Sequence, residues 1–167
     1  MPNLKETIDL TGSDAASKVL LDLLNEFPGL SKDDKITFGM LGKDYGISFN
    51  PVSGAEYLMN VESIIGHVRQ VCSYPFVVIY RSAPRTQEHK IRVREWLELL
   101  GRWLERQPIT IDDTTYQLDE YPALNSGNRK IRGIDVTNAI YCQTAWPDGI
   151  EDWVLMMALR YDNEFYK

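Results

Sequence analysis

The chain has 167 residues, of which 44% are hydrophobic and 25% charged, and its formal net charge is −6. That length suits one domain, 1–167, burying roughly 70% of the surface its unfolded chain exposes, and the acidic balance excludes the broad basic footprint of a nucleic-acid binder. No run approaches the ~18 apolar residues of a membrane span and no early segment resembles a signal peptide, so a soluble, cytosolically made chain is expected, with Cys72 and Cys142 as free thiols rather than a disulfide.

Residues 13–27 place Ala16, Val19, Leu20, Leu23, Leu24 and Phe27 at helical spacing, which predicts a helix with one buried stripe. Ser13 or Thr11 supplies its cap, Asp14 suits its first turn, and Pro28-Gly29 ends it. Residues 1–10 carry Leu4, Ile8 and Leu10 and leave room for a further short helix. Next, Ile36, Phe38 and Met40 alternate with polar or small residues, as do Tyr45, Ile47 and Phe49. A turn around Gly42 makes these a β-hairpin. Residues 50–54 read as a loop, and 55–62 as either helix or strand. Residues 64–71 are strand-like, Ser73-Tyr74-Pro75 breaks the run, and 76–82 resumes as a second strand.

The long segment after Ala83-Pro84 is the clearest helix. Val93, Trp96, Leu97, Leu100, Trp103 and Leu104 share one face, and charged residues surround it. Thr86 is its cap, with His89 where a capping box would want Glu or Gln. Gly101 sits inside it at a cost of about 1 kcal/mol against Ala, so a close neighbour is expected over that turn. Beyond Pro108 the pattern is β-rich. Ile109 and Ile111 precede a turn at Asp112-Asp113, Tyr116 and Leu118 follow, and Gly127 marks a loop. A strand over residues 130–144 joins, through the turn Trp146-Pro147-Asp148-Gly149, a final strand with Trp153, Leu155, Met157, Leu159 and Tyr161 on one face. Val154, Met156 and Ala158 on the other face are apolar too, which predicts cover on both sides, with the helix layer as one candidate cover and a neighbouring subunit as the other. The expected fold is α+β, an antiparallel sheet with two main helices packed on one face.

Catalytic chemistry is sparse. His67, Cys72, His89 and Cys142 match no zinc spacing, and neither cysteine carries a nucleophile signature. The ordinary reading is surface histidines and buried thiols. Asp33-Asp34, Asp112-Asp113, Asp119-Glu120 and Glu151-Asp152 could serve acid–base work or hold a cation, but each lies beside a turn, where carboxylates are ordinary solvated residues. Residues 39–43 lack the length and the Ser/Thr of a P-loop. The expectation is a protein that is no enzyme, with no cofactor and no metal. Aromatics are plentiful instead, with four Trp, nine Tyr and five Phe. Tyr45, Tyr74, Tyr121, Tyr141, Trp146, Phe165 and Tyr166 fall in turns or ends. About half of these serve as lids on the core, and the rest fit protein contact, since Tyr and Trp are enriched at interface hot spots. Tyr141, Trp146 and Tyr45 are the candidate interface residues.

The runs YPFVVIYRS, WLELLGRWLERQP, TYQLDEYPAL, NRKIRGIDVTNAIY and GIEDWVLMMALRYDNEF, spread over residues 64–165, together resemble the minor capsid proteins of long-tailed phages of Gram-positive bacteria that are read as tail terminators. The resemblance implies a small α+β subunit that closes into a ring, typically a hexamer, at the head-proximal end of the tail. Its implied partners are further copies of itself, the tail tube protein and the head–tail connector protein, with host cytoplasm as the place of assembly. Genomic DNA would pass through the lumen without specific binding, because acidic walls repel phosphate. Three alternatives stay open: another connector or neck protein of the virion, a cytosolic α+β protein-binding module, and a small hydrolase or metal enzyme using Asp112 or Asp119.

Overall fold

Two strands of 16 residues, β4 (His67–Ser82) and β9 (Glu151–Tyr166), run antiparallel beside each other along their whole length. They form the spine of a computed structural model that describes residues 9–124 and 129–167. Strict alternation along β9 buries Leu155, Met157, Leu159 and Tyr161 on one face, as the sequence pattern predicts. The facing residues of β4 are Val78, Phe76, Tyr74 and Cys72, all buried.

Each flank of the spine is shared by two shorter strands. On the β4 side, β2 (Gly46–Pro51) pairs with residues 76–81 and β3 (Glu56–Glu62) with residues 68–73. On the β9 side, β7 (Lys130–Val136) pairs with residues 157–162 and β8 (Tyr141–Ala145) with residues 151–154. The single strand expected over 130–144 is therefore two strands, parted at residues 137–140. β1 (Ile36–Phe38) completes a seven-stranded sheet. A separate hairpin, β5 (Ile109–Ile111) and β6 (Thr114–Tyr116), turns at Asp112 and Asp113, both at positive φ. Trp146 to Gly149 forms the β8–β9 turn, with the Trp146 N–H on the Ile150 carbonyl at 2.8 Å.

Three local expectations are corrected. The break at Ser73-Tyr74-Pro75 is absent, and β4 passes straight through Pro75. Proline lacks a ladder donor and belongs where none is needed. Here its carbonyl accepts from Val52 N–H, so its nitrogen faces the same flank, where no strand residue stands opposite it, because β3 begins opposite Ser73 and β2 ends opposite Phe76. Secondly, β1 and β2 pair in parallel, Ile36 opposite Ile47, so they are no hairpin. Asn25 at the end of α1 (Ser13–Asn25) fixes the direction of β1 by bonding both the N–H and the carbonyl of Ile36, and Gly39 at φ 66 then turns the chain back. Thirdly, Ser13 does not cap α1, and Thr11 contributes only through its hydroxyl, which accepts from the Ser13 N–H at 3.3 Å. The N-cap of α1 is Gly12 at φ 82, and that left-handed turn brings Asp9 onto the orphan donors, Gly12 N–H and Ala15 N–H, both at 3.0 Å. The further helix expected within 1–10 and the loop at Gly127 fall largely outside the described residues.

Both helices lie on one face of the sheet. α2 (Gln87–Leu104) starts at Thr86, whose hydroxyl accepts from the His89 N–H at 3.1 Å. It buries Val93, Leu97, Leu100, Trp103 and Leu104. Trp96 is only partly buried and donates through Nε1 to the Gly29 carbonyl at 2.8 Å. Phe27, just past α1, packs edge-on to Trp96 and against Trp103, with ring centroids 5.3 and 5.6 Å away. These aromatics join the two helices. Gly101 has the close neighbour its position demanded, since a Cβ there would stand 2.9 Å from Val136 Cγ2.

Trp103→Ala is expected to cost about 3–5 kcal/mol, as large aromatic truncations in cores do, measured by denaturant unfolding. Gly101→Ala is expected to lower Tm even though alanine favours helix by about 1 kcal/mol. An unchanged or raised Tm would show that Val136 yields at no cost.

Candidate assembly surface

The face of the spine away from the helices has no helix or strand packed on it among the described residues. Its centre is apolar: Pro75, Val77 and Ile79 of β4 stand opposite Ala158, Met156 and Val154 of β9. Val154 is buried by its neighbours, and the others are half-buried. Both ends are charged and paired. Arg69 meets its cross-strand partner Glu164 at 3.2 Å, and Arg81 holds Asp152 through two bonds of 2.8 and 2.9 Å. Arg132–Asp162 and Arg160–Asp135, each at 2.7 Å, lie between. The sequence pattern of two apolar faces on β9 is thus real, but only one face is covered within the chain.

The three candidate interface residues all lie near the end of the spine where β4 finishes and β9 begins. Trp146 is 38% exposed at its turn, and the Arg81 guanidinium sits 4.9 Å from its ring centroid. Arg81 also donates to the Gly42 carbonyl at 3.0 Å. The indole is therefore half-covered by its own chain, through a cation over its ring. Tyr141 opens β8 and is 41% exposed, with its hydroxyl directed at the Met156 sulfur on the uncovered face. Tyr45 stacks edge-on to Tyr80, with centroids 6.0 Å apart, and burial pushes its phenol well up, with Asp34 and Tyr80 adding to the shift. It belongs to the loop between β1 and β2, on the helix side.

Sequence reasoning missed a larger feature. Every residue of β3 is exposed, including the large apolar side chains Tyr57, Leu58, Met59 and Val61, of which Met59 and Val61 share the uncovered face and Tyr57 the helix side. Ile64 and Ile65 at the β3–β4 turn are the most exposed large apolar residues described, at 106% and 78%. The available signal was apolar content without a clean period, which reads equally well as core.

Among the described residues no three His, Cys, Asp or Glu side chains gather as metal ligands. His67 stacks on Tyr166 at 4.7 Å and lies 3.6 Å from Glu164. Surface concavities of about 790 and 490 Å³ occur beside Tyr121 and Ile131 and beside Tyr80 and Trp96. Among the described residues their linings hold arginines and carboxylates, with Thr86 and His89 beside Trp96. Both cysteines are free. Burial pushes the Cys72 thiol up, against the pull of the Tyr161 hydroxyl and Arg129. At Cys142 burial again raises it, helped by Glu151 and opposed by Lys90.

No family model matches the chain, and no curated protein matches it. Among solved structures, a chain of one described as "Virion of native gene transfer agent (GTA) particle" is similar in shape, with a TM-score of 0.47 and 10% sequence identity. The match covers 94% of this chain and 100% of that one.

The raised thiols make a prediction. The thiolate is the reactive form, and burial raises both thiols, so each carries less thiolate than an exposed thiol at the same pH. Ellman's reagent is expected to label the native protein at pH 8 far more slowly than the urea-unfolded chain. Fast labelling of Cys72 in the folded state would show that the spine opens there.

Proposed function

We propose that the chain is a structural protein of a tailed-phage virion, a tail terminator whose copies close into a ring at the head-proximal end of the tail. In this role it ends growth of the tail tube and joins it to the head connector, and its work is assembly rather than catalysis. The observation that carries the reading is the set of exposed large apolar side chains on β3 and its turn, Tyr57, Leu58, Met59, Val61, Ile64 and Ile65. Met59 and Val61 stand beside Val71 and Arg69 on the uncovered sheet face, and exposed apolar side chains next to a centrally apolar face mark a site of protein contact. The sequence resemblance across residues 64–165 supplies the identity of the assembly. Ring closure accounts for the open strand edges by pairing or covering them. Each copy carries a net charge of −6, so a lumen lined with its carboxylates lets DNA slide past without the counterion release that binding needs.

Negative-stain images of the purified protein are expected to show rings with a central hole, six copies in the resembling family. A sharp monomer at every concentration in native mass spectrometry would favour a solitary binding module instead. Trp146→Ala and Tyr141→Ala are expected to weaken contact between subunits or with the tube, with circular dichroism unchanged. If both variants control tail length and form rings as the native chain does, the aromatics at this end serve only their own subunit.

A further inference from the structure

An open strand edge is a row of unpaired N–H and C=O groups, and proteins block the edges they do not use. This sheet blocks some of its edges and leaves others. At β1, the Asn25 amide occupies both the N–H and the carbonyl of Ile36, at 2.9 and 3.0 Å. At β7, the outward N–H of Ile134 donates to Tyr121 Oη at 3.3 Å and that of Val136 to Glu105 Oε1 at 2.8 Å. At β3 and β8, among the described residues, no group from another part of the chain bonds to the outer edge. These are the two strands available for addition.

Their positions are diagonal. β3 flanks β4 over residues 68–73, and β8 flanks β9 over residues 151–154, which stand opposite residues 79–82 of β4. One edge is therefore at the left of one end of the spine and the other at the right of the opposite end. A copy related by sideways displacement and a shift along the strands brings its β8 against β3. Pairing of β3 with itself is disfavoured in the register that overlaps the whole strand. A two-fold axis at Met59 sets Glu56 opposite Glu62 twice, and like charges directly across a strand pair are destabilising. β8, with the sequence YCQTA, carries no charge and places none against Glu56 or Glu62.

We infer that β3 of one copy adds to β8 of the next, joining copies head to tail through a continuous sheet. The 5 residues of β8 set the ladder at about 17 Å, near 3.4 Å per residue. The contact is heterologous, so it runs on into a ring or a filament. Only its closure rests on the ring reading; the pairing stands for either outcome.

Alternation locates the groups to remove. Ser63 N–H bonds to the His67 carbonyl and Trp146 N–H to the Ile150 carbonyl, so the N–H groups of Asn60 and Ala145 point outward. Asn60→Pro and Ala145→Pro each delete an outward donor and spare the ladder within the chain. By analytical ultracentrifugation the native protein is expected to assemble, whereas each variant alone sediments as a monomer with native circular dichroism. An equimolar mixture is expected to give 1:1 dimers and nothing larger, because each variant keeps one working edge. Native-like assembly by either variant, a mixture that stays monomeric, or a native chain that never associates would overturn the pairing. Rings formed by both variants would sink the pairing and leave the ring reading, and native filaments with mixed dimers would do the reverse. Hydrogen exchange on the native chain covers the case of a variant that does not fold. The amides of Asn60, Glu62 and Ala145 are expected to slow by about tenfold or more on assembly relative to the diluted monomer, and equal rates would count against the pairing.

Discussion

Register along the β4–β9 ladder is the constraint on which the other elements depend. Arg69 stands opposite Glu164 near one end and Arg81 opposite Asp152 near the other, with apolar pairs between. A slip of one residue would part both ion pairs and turn Leu155, Met157 and Leu159 away from the helices. The length of this ladder also decides what remains uncovered. At 3.3–3.4 Å per residue, 16 residues extend about 53 Å, whereas the 18 residues of α2 span about 27 Å. A helix layer of that size covers part of the spine. The flanking strands divide the two edges of the spine, each pairing with part of a long strand, and Pro75 sits at the division on one side.

A polar seam ties the start of the described chain to the far end of the spine. Asn163 is fully buried, donates to the Leu10 carbonyl and to Gln70 Oε1 at 2.8 Å, and accepts from Arg129 Nε at 2.7 Å. Tyr161 adds a bond to the Thr11 carbonyl at 2.6 Å. Buried polar groups are costly unless satisfied, so this network admits one placement of residues 9–12. That placement sets Gly12 against Tyr161, where a Cβ would come within 2.8 Å of the ring, and so sets where α1 begins.

The parts of the fold legible in the sequence were those whose signals are local. α2 showed its stripe, its Thr86 cap and the packed Gly101; β9 showed alternation; Asp112-Asp113 and the residues 146–149 showed turns. What was not legible depends on partners distant in sequence. Nothing near Ile36 reports that Asn25 will clamp it and reverse the expected hairpin into a parallel pair. Pro75 reads as a breaker until the change of neighbour from β3 to β2 is known, and Asp9 caps α1 from beyond the usual position. The surface followed the same rule. Tyr141, Trp146 and Tyr45 were singled out for lying in turns, and each is half-covered by a neighbour, whereas the more exposed β3 has the composition of a core strand.

Charge is distributed so that the uncovered face can lose water cheaply. Arg69, Arg81, Arg132 and Arg160 each pair with a carboxylate of the same sheet, Glu164, Asp152, Asp162 and Asp135, so four cations and four anions cancel there. The chain's net charge of −6 must then reside elsewhere, on surfaces such as α1, where Asp14 and Asp22 are exposed beside a single Lys18. Desolvating an unpaired charge is far more costly than desolvating a bonded pair, and contact cores are depleted in free charge while their rims keep it. A face that is apolar at its centre, with these four arginines paired around it, is suited to burial against another protein, while Lys130 and Glu56 at its margin stay in water.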